Sequence, residues 1–129
     1  MTDLHPPCSE HLPELTDDHY RRLASIFQLL GDDGRLHLVM ACIEGPQHVT
    51  KLSEIAAMSQ PLTSHHLRQL REARILKATR HGKQMLYELD DYHIRHVLLD
   101  LAAHAIEPDV EKMAEHLDED SANASISVP

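Results

Sequence analysis

"VTKLSEIAAMSQPLTSHHLRQLREARIL", residues 49 to 76, is the stretch on which the fold turns. Its apolar residues recur at helical spacing in two short runs. Leu52, Ile55 and Ala56 share one side of a helix predicted over Lys51 to Met58. Leu62, Leu67 and Leu70 share one side of a helix predicted from about Gln60 to Ala73. Ser59 is placed to cap the second helix, and Pro61 falls in a first turn, where its missing N–H costs nothing. Two short helices across a tight break form a helix-turn-helix.

Downstream the period changes. In "ILKATRHGKQMLYELD", residues 75 to 90, Met85, Tyr87 and Leu89 alternate, which predicts a β-hairpin turning at Arg80–Lys83. A hairpin directly after a helix-turn-helix is a wing, and this tip is basic, as a phosphate contact requires. A last helix is predicted from near Asp90 to about Leu117, with Ile94, Val97, Leu98, Leu101 and Ala105 as its apolar stripe. Upstream, Tyr20, Leu23, Ile26, Phe27 and Leu30 mark a helix from Asp17, capped by Asp17 or Asp18 and ended by Gly31. A second runs from Asp33 to Ile43, with Leu36, Val39, Met40 and Ile43 inward. The expected fold class is mainly α with a β-hairpin wing: a winged helix-turn-helix, homodimeric through its terminal helix. Residues 1–16, with Pro6, Pro7 and Pro13, read as a flexible arm, 17–117 as one domain, and 118–129 as a disordered polar tail.

Composition agrees. The chain has 129 residues, no Trp and one Phe, so aliphatic side chains must fill its core. Two cysteines make no disulfide framework, and neither a signal peptide nor an apolar run near the ~18 residues of a membrane span is found, so a cytoplasmic location is expected. No nucleophile–base set or phosphate loop points to an enzyme. The net charge is −9, yet residues 51–84 carry seven basic and two acidic side chains, so that segment is +5 and the rest −14. A basic middle in an acidic frame suits a polyanion.

The last helix raises a separate question, because it carries Asp91, His93, His104 and Glu107 on or near one face. The step from His93 to His104 returns to nearly the same face but advances about 16 Å along the axis. Ligands of one zinc ion lie only about 2 Å from it. One helix therefore cannot bring both histidines to one metal, whereas two antiparallel copies can. Asp91 and His93 of one chain would then face His104 and Glu107 of the other, giving two sites per dimer.

The order helix, helix, helix-turn-helix, wing and long last helix resembles the ArsR/SmtB metalloregulatory repressors over about residues 17 to 110. "TSHHLRQLREARIL" looks like their recognition helix, and "GKQMLYELDDYHI" like their wing running into the last helix. Members that sense zinc, cobalt or nickel carry D-x-H, ten residues, H, two residues, then E or H. Asp91-x-His93, His104 and Glu107 match that pattern at every position. The resemblance implies a homodimer that binds an inverted-repeat operator when metal-free and leaves it when metal binds. It places Gln60, Thr63, Ser64, His65 and Arg68 on the DNA-facing front of the recognition helix. Arg80, His81, Lys83 and Gln84 are its wing contacts, and His66 is a packing residue. Two histidines and two carboxylates suit Zn(II) first, with Co(II) or Ni(II) possible. The family's second site would here be drawn from Cys8, His11 and His48, with His5 nearby, while charged Lys51 cannot ligate. No cysteine lies beyond Glu44, so sensing of thiophilic metals through the recognition helix is disfavoured. Cys42 reads as a buried small hydrophobe. Two rival readings are a thiol-responsive repressor using Cys8 and Cys42, and a non-regulatory metal-binding module on the same scaffold.

Overall fold

A computed structural model describes residues 11–108. His5, Cys8, the last-helix residues beyond 108 and the tail lie outside the described residues. In chain order the elements are α1 (Asp17–Leu30), α2 (Asp33–Ala41), β1 (Gln47–His48), α3 (Val49–Ala56), α4 (Gln60–Glu72), β2 (Leu76–His81), β3 (Gln84–Leu89) and α5 (Tyr92–Ile106). The strands form one antiparallel sheet in the order β1-β3-β2. The chain divides between Val97 and Leu98 into two units. The first holds everything up to the opening turns of α5; the second is described to Pro108. Among the described residues no helix is long and apolar enough to cross a membrane.

The helix-turn-helix forms as expected, and its turn rests on one unusual residue. Ala57 adopts the left-handed conformation (φ 55°, ψ 48°), which lets the Met58 amide reach back to the Ser53 carbonyl at 3.0 Å. The Ser59 hydroxyl then accepts from the Leu62 amide at 3.3 Å and starts α4. The far end of α4 closes the same way: Arg74 has φ 63°, and the Ile75 amide donates to the Leu70 carbonyl at 2.9 Å. The next residues, Ile75 and Leu76, enter the core at 0% and 1% exposure.

The inward face of α4 is shifted from the expected one. Thr63, Leu67 and Leu70 are fully buried, whereas Leu62 is 44% exposed. A buried threonine is tolerable because its hydroxyl donates to the Ser59 carbonyl at 2.8 Å. In α3, Leu52 and Ser53 are buried and Ile55 is not; in α2, Leu38 joins Val39 inside, while Leu36 and Met40 are only half-buried. The two-residue strand β1 was not legible as a strand; it pairs Gln47 with Tyr87 and His48 with Leu86.

The start of α1 differs from expectation, whereas its end at Gly31 is the expected one. Thr16, not Asp17 or Asp18, caps it, its hydroxyl accepting from the His19 amide while His19 Nδ1 accepts from the Thr16 amide. Gly31 ends it in an ordinary right-handed conformation. The Leu29 carbonyl there receives Arg35 Nε at 2.8 Å, which ties α1 to α2. No residue of α1 is buried, and Tyr20, Leu23 and Phe27 are 52%, 43% and 57% exposed. Of the same stripe Ile26 and Leu30 are half-buried, so among the described residues it is covered only in part.

The last helix is shorter than expected. Instead of running on to about Leu117, α5 ends at Ile106, and Glu107 and Pro108 are non-helical. Proline disfavours helical backbone in the residue before it, which explains the stop.

Ala57→Gly is expected to stabilise the fold by about 0.5–1 kcal/mol, because relief of left-handed strain exceeds the entropy glycine adds to the unfolded chain. Leu67→Ala should destabilise it by about 2–5 kcal/mol through the cavity left behind. Chemical denaturation of each variant beside wild type measures both.

Candidate functional site

The back of α4 is sealed, so the opposite side of that helix must face outward. Gln60, Ser64, His65, Arg68 and Arg71 are exposed. Ser64, Arg68 and Arg71 stand three or four residues apart, so they fall on one strip. Gln60 Nε2 donates to Thr50 Oγ1 at 3.1 Å, linking the start of α4 to α3. That bond orients the Gln60 amide and leaves its carbonyl oxygen open. Thr63 does not join this face: it is fully buried and its hydroxyl is engaged inside. His66 is half-buried, with Nδ1 3.4 Å from Gln69 Oε1. Arg71, one of the basic residues of segment 51–84, joins this strip one turn beyond Arg68.

The wing turns on two residues, Gly82 and Lys83, between His81 and Gln84, which pair across β2 and β3. Gly82 has φ +63°, the conformation a two-residue hairpin asks of its first turn residue and one that glycine supplies without strain. The turn is tighter than the Arg80–Lys83 span expected. Arg80, His81, Lys83 and Gln84 are all exposed around it. Recognition helix and wing therefore present guanidinium and ammonium groups, with amide, hydroxyl and imidazole donors between them, the chemistry that binds phosphates and reads base edges.

The proposed metal ligands occupy the two ends of α5. Asp91 directly precedes the helix and is exposed; its Oδ1 accepts from the Ile94 amide at 3.1 Å, so the carboxylate caps the first turn. Its second oxygen remains open. His93 is exposed in that turn. His104 lies in the last turn, and Glu107 just beyond the helix, its amide closed onto the His104 carbonyl at 3.2 Å. Both are exposed. Among the described residues of a single chain, no three His, Cys, Asp or Glu side chains come together as a metal site. The donor set itself, two imidazoles and two carboxylates open to solvent, fits a divalent ion of the zinc type.

Of the suggested second site, Cys8 is outside the described residues and His11 is exposed. His48 is half-buried in β1, and its Nδ1 is buried with no hydrogen-bond partner. Cys42 is 2% exposed; burial, and secondarily the Glu88 carboxylate, push its thiol up to about 12.

Comparison with known proteins places this architecture. The profile of "Bacterial regulatory protein, arsR family" matches residues 32–78. The HTH-type transcriptional regulator NmtR of Mycobacterium tuberculosis is 33% identical over 84 residues, 65% of this chain and 70% of that protein. The chain belongs to the arsR family. The HTH-type transcriptional repressor SmtB of M. tuberculosis is 37% identical over 71 residues. That match covers 55% of this chain and 53% of SmtB, so the chain spans about half the length of that relative. A Staphylococcus aureus homolog of the cadmium resistance transcriptional regulatory protein CadC is 34% identical over 77 residues, 59% of this chain and 64% of that one. The solution structure of apo-NmtR matches with a TM-score of 0.60 and 29% identity, over 78% of this chain and 85% of that chain. The arsR family is one of transcriptional regulators, not of enzymes.

Cys42 yields a pH test. Its folded thiol ionises at about 12, against an ordinary 9.0, so between those values the unfolded chain releases a proton that the folded chain keeps. Stability is unaffected by this group below pH 9 and falls as pH rises from about 9 towards 12. Urea unfolding at pH 8 and pH 10 should show that loss in wild type and its reduction in Cys42→Ala.

Proposed function

We propose that this chain is a metal-responsive transcriptional repressor whose homodimer binds an inverted-repeat operator and leaves it when a divalent cation binds. The carrying observation is α4, whose back is buried to 0% exposure at Thr63, Leu67 and Leu70 while its front offers Gln60, Ser64, His65, Arg68 and Arg71. A helix pinned on one side and cationic on the other is built to enter a groove. The wing's Arg80, His81 and Lys83 lie in the same basic segment and suit flanking phosphates.

A second copy of the chain is supported by what one copy leaves in water. Tyr20, Leu23 and Phe27 of α1, and Val97, Leu101 and Ile106 of α5, are each more than 40% exposed. An apolar surface of this kind calls for a partner. Antiparallel α5 helices would set Asp91 and His93 of one chain against His104 and Glu107 of the other. Zn(II) suits that set best, with Co(II) and Ni(II) next. A second site from Cys8, His11 and His48 stays within this proposal; the unpartnered His48 Nδ1 is its one support. The thiol-responsive alternative loses weight at Cys42, because a buried thiol ionising at about 12 supplies almost no thiolate at neutral pH.

Fluorescence anisotropy with DNA from upstream of the gene, with and without Zn(II), Co(II) and Ni(II), tests the proposal. Metal should weaken binding at least about tenfold, roughly 1.4 kcal/mol of coupling, and His104→Ala should abolish that response while leaving metal-free affinity in place. Lys83→Ala should reduce the slope of log affinity against log salt by about 1 if the wing holds a phosphate. Tight DNA binding indifferent to every metal would sink the sensing half, and no DNA binding at all would favour the non-regulatory module.

A further inference from the structure

We propose that Arg95 is the strut through which the first turn of α5 acts on the helix-turn-helix. This rests on the metal-sensing reading and names the residue that carries the signal. Arg95 Nη1 donates to the Ile43 carbonyl, joining positions 52 residues apart in the chain. The bond is part-buried, and a charged donor on a partly desolvated carbonyl is among the stronger hydrogen bonds a protein makes.

Each end of the strut is anchored. Arg95 shares its turn with both candidate ligands at that end of α5. Its amide donates to the Asp91 carbonyl at 3.4 Å, and the Asp91 side chain accepts from Ile94. A force on Asp91 or His93 therefore moves that turn as a unit, and the guanidinium with it. At the other end, Ile43 is 6% exposed and directly follows Cys42, the C-cap of α2. From Ile43 the chain passes through Glu44, Gly45 and Pro46 to β1, and His48 at the end of β1 is the N-cap of α3. The path from α5 to the helix-turn-helix is thus one hydrogen bond and five residues of backbone.

There is also room for a second arrangement. Arg95 borders a cavity of about 560 Å³ whose walls include Glu44, Glu88 and Asp90. These carboxylates line the same space and would serve the guanidinium as alternative acceptors. A side chain bonded to one acceptor, with others across an open space, is the kind of two-position element that coupling between sites requires.

The test uses the full chain and Arg95→Met, which keeps an apolar stem and removes the donors. Three quantities are read: affinity for upstream DNA without metal, Zn(II) affinity by competition with a chromophoric chelator, and the ratio of DNA affinities without and with Zn(II). The expected result is the first two within about threefold of wild type and the ratio reduced at least about tenfold. A ratio equal to wild type overturns the proposal. So does loss of Zn(II) binding, which would place Arg95 in the site instead of in the coupling. If the variant does not fold, hydrogen exchange on the wild-type protein decides: Zn(II) should change protection across residues 42–48, and unchanged exchange there overturns the strut. A wild-type protein that keeps its DNA affinity in Zn(II), Co(II) and Ni(II) alike refutes the sensing reading as well; a responsive wild type with an equally responsive variant refutes only the strut.

Discussion

Burial of Thr63, Leu67 and Leu70 against the core holds α4 in place, and most of the structure either supplies that burial or uses it. A helix that reads a groove needs its orientation fixed before it meets the ligand, because any rotation about its axis exchanges the side chains presented. Interiors are close-packed, so three side chains at 0% exposure leave α4 little freedom to turn. The two left-handed residues, Ala57 before it and Arg74 after it, serve the same end. Each bends the chain within one residue, so α4 is held at both ends by short connections. Their backbone conformations cost something, and the packed core of α2, α3 and β2 sustains them.

Capping follows a similar logic. Thr16, Asp32, Ser59 and Asp91 each accept a backbone amide at a helix start. The hydrogen bond from the Arg35 amide holds the Asp32 carboxyl below its ordinary value. The start of α3 is different: His48 makes no capping hydrogen bond there, and its Nδ1 is left buried and unpartnered. The helix to which the strut leads thus begins without a side-chain cap. At α5 the cap is itself a candidate ligand, so whatever draws on the Asp91 carboxylate also draws on the helix it starts.

Much of this was legible in the sequence, and the failures have physical causes. Helix positions and the hairpin followed from apolar spacing, Gly82 and the Ser59–Pro61 start. The inward faces of α3 and α4 were misjudged because hydropathy ranks Leu62 and Ile55 above Thr63 and Ser53. Local bonds reverse that order, since Thr63 and Ser53 donate their hydroxyls to backbone carbonyls four residues earlier and can be buried. The strand β1 escaped because two residues carry no period. Arg95 escaped because its acceptor is a carbonyl 52 positions away, and no spacing rule reports that. The stop at Ile106 was readable, since Pro108 stands two residues beyond it in the sequence. The ligand spacing on α5 was visible, but among the described residues no cluster of three such groups forms.

The bare stripe on α1 has a further consequence. Among the described residues Tyr20, Leu23 and Phe27 stay 43–57% exposed, so part of the free energy that could hold this fold resides in whatever covers them. If the cover is another molecule, that part is set by mass action and grows with the amount present. Dilution then acts as a mild denaturant: melting temperature drifts with protein concentration, and a cell holding few copies holds less stable ones.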